Sequence, residues 1–210
     1  DVYKRQAFIR LAPAIALLSA MNFTYQGLWA GPWLRDVGGL DEAGRAILLL
    51  FYALGLMVGS AGFGQAASFL QARGWGPMTM PHVALAGMAA VQALLILGLS
   101  HHPAVIGALW FVFALCGAAG PAGYAAIGQG FTPALAARVA TAINLAMLVM
   151  VFVLQNAIGW ILDLWPRTEA GGWASAGYAW AFALTLVLQL FAMAWMLRPE
   201  RSSAQRQGRP

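Results

Sequence analysis

Charge is what this chain lacks most. Only 9% of its 210 residues are Asp, Glu, Lys or Arg, while 61% are hydrophobic. Soluble domains carry roughly 25% charged residues. Too few charges remain to cover a soluble surface, so the composition points to an integral membrane protein. Cysteine occurs once, at Cys116 inside an apolar run, which excludes a disulfide framework and reads as a small core residue. Histidine is scarce too. His82 stands alone, and His101 and His102 sit in a short loop before Pro103. Two adjacent imidazoles without a third ligand make a poor zinc site. No nucleophile with a base partner, phosphate-binding loop or metal cluster is visible. A membrane-embedded enzyme is therefore not expected, and no cofactor is called for. The formal charge of +5 does not indicate nucleic acid. Lys4 and Arg5 lie in a hydrophilic N-terminal stub, and Arg198, Arg201, Arg206 and Arg209 lie in a polar tail. No basic stripe interleaved with aromatics occurs elsewhere.

What the chain has is apolar length. About 20 residues of helix cross a hydrocarbon core, and six such runs are present. Span A covers about 8–31, B about 45–68, C about 78–99, D about 104–130, E about 138–162 and F about 176–197. Lipid offers no partner to backbone N–H and C=O groups, so helices are expected. The Ala, Leu and Met content lacks the alternation of a barrel strand. Lys and Arg set the orientation. With the start of span A in the cytoplasm, Arg10, Arg73, Arg138 and the four tail arginines are inside, and Arg35, Arg45 and Arg167 are outside. Both ends of the stretch then face the cytoplasm. Trp29, Trp33, Trp160, Trp165 and Trp173 fall near the outer interface and Trp75 and Trp195 near the inner one, as amphipathic rings do.

The opening DVYKRQ shows neither an initiator Met nor a signal-peptide pattern. It can be read back as GATGTGTATAAGAGACAG, which resembles a transposon end used to fragment DNA for sequencing. Residues 1–6 are accordingly read as a library remnant, residues 7–197 as a six-helix transmembrane unit, and residues 198–210 as a basic cytoplasmic tail. Spans B and E each begin with a small residue and Arg (Gly44–Arg45, Ala137–Arg138). Each is the second of a triplet, so A-B-C and D-E-F are expected to form two inverted three-helix repeats.

The richest polar stretch is "NFTYQGLWAGPWLRD" in span A. Asn22 and Gln26 share a helix face, and Tyr25 lies three residues from Asn22. Such a face is costly against lipid. It either contacts a substrate or bonds neighbouring helices, and both readings stand at this stage. Span D carries "GAAGPAGYAAIGQG", where Gly117, Gly120, Pro121 and Gly123 weaken the helix. A kink is expected just before Pro121. A discontinuous midplane helix points to a binding site or hinge; close packing through small residues is the alternative. Tyr124 follows directly. In span E, Asn144, Gln155 and Asn156 either line a pathway or bond a neighbour. Gln92 and Gln189 are expected to be structural, and Gly55 and Gly59 read as a G-x-x-x-G packing face. No acid lies mid-span. Proton relays use Asp, Glu or His within the membrane, so a coupling proton site would lie outside this stretch.

The segment "YQGLWAGPWLRDVGGLDEAGRA" with its Gly-rich second span resembles the seventh and eighth helices of a major facilitator superfamily transporter. "FTPALAARVATAINLAMLVMVFVLQNAIGWILD" resembles that family's loop and eleventh helix. The resemblance covers nearly all of residues 7–197. It implies the C-terminal half of a twelve-helix, alternating-access carrier of a small organic solute, with the N-terminal half as a missing partner and a coupling ion as a second ligand. It places spans A and D centrally, B and E beside them, and C and F toward lipid. Asn22, Tyr25, Gln26, Tyr124, Asn144 and Gln155 become pathway candidates. The family's G-x-x-x-D-R-x-G-R-R type loop has a remnant in "GQAASFLQARGWGP", where Gly64 and Arg73 fit but Ser68 replaces the acid. The neutral amides suit a polar solute. The alternative expectation is a non-transporting membrane scaffold or solute-sensing receptor of the same fold.

Overall fold

The computed structural model describes residues 2–98 and 102–198. Asp1, His101 and the tail beyond residue 198 lie outside the described residues. Span A is α1 (Val2–Thr24), a π-helical turn (Tyr25–Trp29) and α2 (Ala30–Asp36). Span B is α3 (Glu42–Ala72) and span C is α4 (Thr79–Leu97). Span D is split into α5 (Pro103–Gly117) and α6 (Gly120–Gly128). Span E is α7 (Pro133–Leu162) and span F is α8 (Ser175–Met196). Six of the resulting continuous stretches are long and apolar enough to cross a membrane.

Local chemistry sets the helix ends. Asp41 caps α3 by accepting from the Gly44 amide at 2.8 Å, and Glu42 adds negative charge at the positive end of the helix. Pro103 and Pro133 open α5 and α7, where the missing N–H costs nothing. Gly98 ends α4 with φ +58°, a conformation that glycine adopts freely.

Helices in lipid gain little from hydrophobicity when they meet, so close approach and hydrogen bonds must hold them. Here α3 lies along α5, and α7 lies along α1. At the first contact Gly55 and Gly59 sit on the α5 backbone. A β-carbon at Gly59 would lie 2.5 Å from the Leu115 carbonyl oxygen, and one at Gly55 would run into the Phe111 carbonyl. Where α1 crosses α5 and α6, it seats Asn22, Ser19 and Ile15 over Gly117, Gly120 and Gly123. The Gly-rich stretch of span D is thus both a break, at Ala118–Ala119, and a close-packing face.

Two buried glutamines join α4 to α8. Gln92 Nε2 donates to the Phe182 carbonyl at 2.8 Å, and Gln189 Nε2 donates to the Leu85 carbonyl at 2.8 Å. Each amide therefore reaches the carbonyl seven residues before the other glutamine. Such interhelical bonds contribute on average about 0.6 kcal/mol in a membrane. An aromatic core packs around Trp110, which is 1% exposed. Tyr25, Trp33, Tyr52, Phe113 and Phe182 surround it with ring centroids 5.5 to 6.2 Å away. Each such aromatic pair adds about 0.5–1.5 kcal/mol beyond its buried area.

The two ends of the bundle meet on one side. Arg10 donates to the Arg198 carbonyl at 2.8 Å, and the Trp195 indole donates to the Ile9 carbonyl at 3.2 Å. Large apolar side chains on α7 and α8, including Phe152, Trp160, Trp180 and Phe191, face outward.

The glycine contacts give a direct test. Gly55→Ala and Gly59→Ala are each expected to lower stability by about 1–3 kcal/mol, the usual cost of overpacking. Gly62→Ala, whose β-carbon would meet nothing within 4 Å, is expected to be neutral. Thermal unfolding of the three variants in detergent micelles separates them.

Candidate functional site

The centre of span A is held from both sides. On the inner side, the Asn22 side chain is 1% exposed and accepts from the Tyr52 hydroxyl at 2.8 Å. On the other face, the buried Tyr25 hydroxyl meets Thr185 Oγ1 at 2.7 Å. Thr185 also lies 3.0 Å from the Phe182 carbonyl, to which it donates, so Tyr25 is the donor in the first bond. Gln92 Nε2 adds a further bond to Thr185 at 2.6 Å. Asn22 and Tyr25 therefore sit in the core, where their polar atoms tie α1 to α3 and α8.

Between these anchors and α2 the helix takes an extra residue. The Ala30 amide bonds the Tyr25 carbonyl, five residues back instead of four. Gly27 lies in the middle of this turn, and glycine, a poor helix former, accommodates irregular winding at little cost. Turns of this kind recur at functional sites. The turn brings Gln26, Gly27 and Leu28 to the surface in the last third of the span. Trp29 folds back inside, 5% exposed, and its indole donates to the Gln155 carbonyl at 3.1 Å. The Gln155 side chain lies over Gly27: a β-carbon there would be 3.3 Å from Gln155 Nε2. The absence of a side chain at Gly27 is what lets the Gln155 amide lie against the π turn.

Asn144 is exposed on α7. It precedes Gln155 by eleven residues, three helical turns, and so shares its stripe. Asn156 is also exposed, but its Nδ2 donates to the Phe152 carbonyl of its own helix at 2.7 Å. Tyr124 is half-buried on α6, with its hydroxyl 3.5 Å from Ser19 Oγ. Pro121 is exposed at the start of α6, beside the break. The loop remnant is modest. Gly64 faces open space, the Arg73 guanidinium lies 3.6 Å over the Phe69 ring, and Ser68 donates to the Gly64 carbonyl at 3.0 Å. Gln129 on the far side of α6 reaches Gln71 at 3.3 Å. Among the described residues, no three His, Cys, Asp or Glu side chains could hold a metal.

One polar centre went unread in the sequence. The Asp36 side chain is 4% exposed at the outer end of α2. It accepts from Arg35 Nε at 2.6 Å, from the Trp173 amide at 3.0 Å and from the Tyr178 hydroxyl at 2.9 Å. Gly172 leaves room for the carboxylate, since a β-carbon there would strike it. Trp173 in turn donates to Asp163 at 3.1 Å and meets the Trp29 ring edge at 5.6 Å. Arg167 pairs with Asp163 at 2.9 Å and caps the Trp173 ring. The Arg35–Asp36 neighbour pair is visible in the sequence. The partners 137 and 142 residues away are not.

Removing the carboxylate should loosen this corner. Asp36→Ala is expected to cost about 1–3 kcal/mol, the penalty for leaving buried donors unpaired. Faster amide hydrogen exchange should appear in residues 170–178 and spare α4 and α5. Uniform exchange across the bundle would show that Asp36 holds no local corner.

No protein-family model matches the chain, and comparison with curated proteins and with solved structures found no match. With six helices among the described residues long and apolar enough to cross a membrane, the chain is a multi-pass membrane protein.

Proposed function

We propose that this chain is one six-helix half of a transporter that moves a small, uncharged polar organic solute by alternating access, in the manner of the major facilitator superfamily it resembles. The other half is a second six-helix unit, supplied by residues that precede these in a longer chain. The observation that carries this reading is the π-helical turn at Tyr25–Trp29, which exposes Gln26 inside the span and seats Gly27 against Gln155. Polar groups at that depth are costly against lipid, so this face belongs on a watery cavity. Broken helices at midplane mark binding sites in secondary transporters. Both central spans are interrupted here, one by the π turn and one at Ala118–Ala119.

Two further features support inverted repeats. Gln92 and Gln189 bond each other's helices reciprocally, as a two-fold axis between α4 and α8 would require. The second span of each triplet also packs on the first span of the other: α3 on α5, α7 on α1. In this reading Gln26, Gln155 and Asn144 contact solute, Tyr124 stands beside the hinge at Gly117, Gly120, Pro121 and Gly123, and Asn22 and Tyr25 position the π turn. The Arg10–Arg198 contact puts both ends on one side, which the arginine distribution assigns to the cytoplasm.

The test is uptake by the complete protein in proteoliposomes, with labelled neutral and anionic metabolites offered side by side. Net uptake of a neutral polar solute is expected. Gln26→Ala and Gln155→Ala should each reduce it at least tenfold, while Asn156→Ala leaves it intact. Saturable binding without flux would replace the carrier with a solute sensor.

A further inference from the structure

On α7, Ala142 and Asn144 flank the buried Ile143, and both are exposed. The two stripes look to opposite sides of the α1–α7 seam. The Asn144–Gln155 stripe is polar. The other side forms a groove of about 330 Å³ between the inner ends of α1 and α7. Phe8, Phe131, Leu135, Val139 and Ala142 form its apolar walls, and Arg138 stands at its rim. Arg5 also lines the groove, so two guanidinium groups border the same apolar walls. Among the described residues Arg138 has no ion-pair partner. The groove opens at the N-terminal end of a 30-residue helix, whose dipole adds positive potential there.

We propose that this groove is a binding site for an anionic phospholipid of the inner leaflet, with the phosphate at Arg138 and one acyl chain along Phe131, Leu135, Val139 and Ala142. The chemistry is complementary at both ends. An unpaired guanidinium at membrane-interface depth attracts a phosphodiester, and an apolar wall that continues into the bilayer takes the tail. A soluble anion would use the arginine and leave the wall bare. A zwitterionic lipid would bring its own cation to the same rim. The site stands apart from the glutamine pair and is independent of whether the protein transports.

The experiment is lipid retention by the purified full chain in native mass spectrometry. The probes are palmitoyl-oleoyl phosphatidylglycerol and phosphatidylcholine, which share their tails. The wild type is expected to retain the anionic phosphatidylglycerol in preference. Arg138→Ala should lower its occupancy about fivefold, the loss of roughly one basic contact, whereas Arg138→Lys keeps most of it. Ala142→Trp fills the groove without touching charge and should lower it too. Arg73→Ala, at another inner loop, should not. Equal retention of the two lipids by the wild type would overturn the proposal, as would full retention by either Arg138→Ala or Ala142→Trp. Displacement of the lipid by soluble glycerol 3-phosphate would also overturn it, by showing a phosphate site that needs no tail. If Arg138→Ala fails to fold, Ala142→Trp still decides.

Discussion

Everything in this bundle depends on how closely α1 can approach the broken span formed by α5 and α6. Three glycines receive three α1 side chains there: Gly117 takes Asn22, Gly120 takes Ser19 and Gly123 takes Ile15. In water, burying apolar area would draw such helices together. In lipid the tails are as apolar as the side chains, so contact must come from shape and hydrogen bonding. Close seating of Asn22 sets it within reach of Tyr52, and that bond in turn fixes the inner half of span A against α3. The π turn begins where this fixed portion ends. The depth of one glycine face therefore decides where the helix above it can change its winding.

The same constraint sorts the polar side chains into two groups. Asn22, Tyr25, Gln92, Thr185 and Gln189 point inward and hydrogen-bond between helices, so they specify one packing. Gln26 and Asn144 remain on the surface within their spans, and Gln155 is only half-buried. A membrane protein has reason to keep such groups out of lipid. Of these, Gln155 lies against Gly27 and Gln26 sits in the π turn itself.

Much of this was legible in the sequence. All six spans were, because lipid demands long apolar runs and the breaks carry Gly, Pro and charge. The structure extends several by a few residues: α3 starts at its Asp41 cap and α7 at Pro133, ahead of the apolar stretches that define them. The break in span D was legible from Pro121 and its glycines. The π turn was not, because Gly27 alone in an apolar helix fits regular winding as well. The orientation of Tyr25 was hidden for a related reason. Spacing puts it near Asn22, but the extra residue and the aromatic cluster around Trp110 decide which neighbour it meets. The Asp36 corner needs contacts across the whole chain, which no local pattern encodes.

Span A also carries a constraint on count. Each residue in a helix turns the chain by about 100°. The π turn holds one residue more than regular winding between Asn22 and Trp29 would use, and Trp29, Trp33 and Asp36 are aimed from there. If the same residues were wound as a regular helix, the extra one would rotate the outer third by about a quarter turn. The two indoles and the carboxylate would then swing away from Gln155, Trp110 and Trp173 together. At this point in the chain, the number of residues matters as much as their identity.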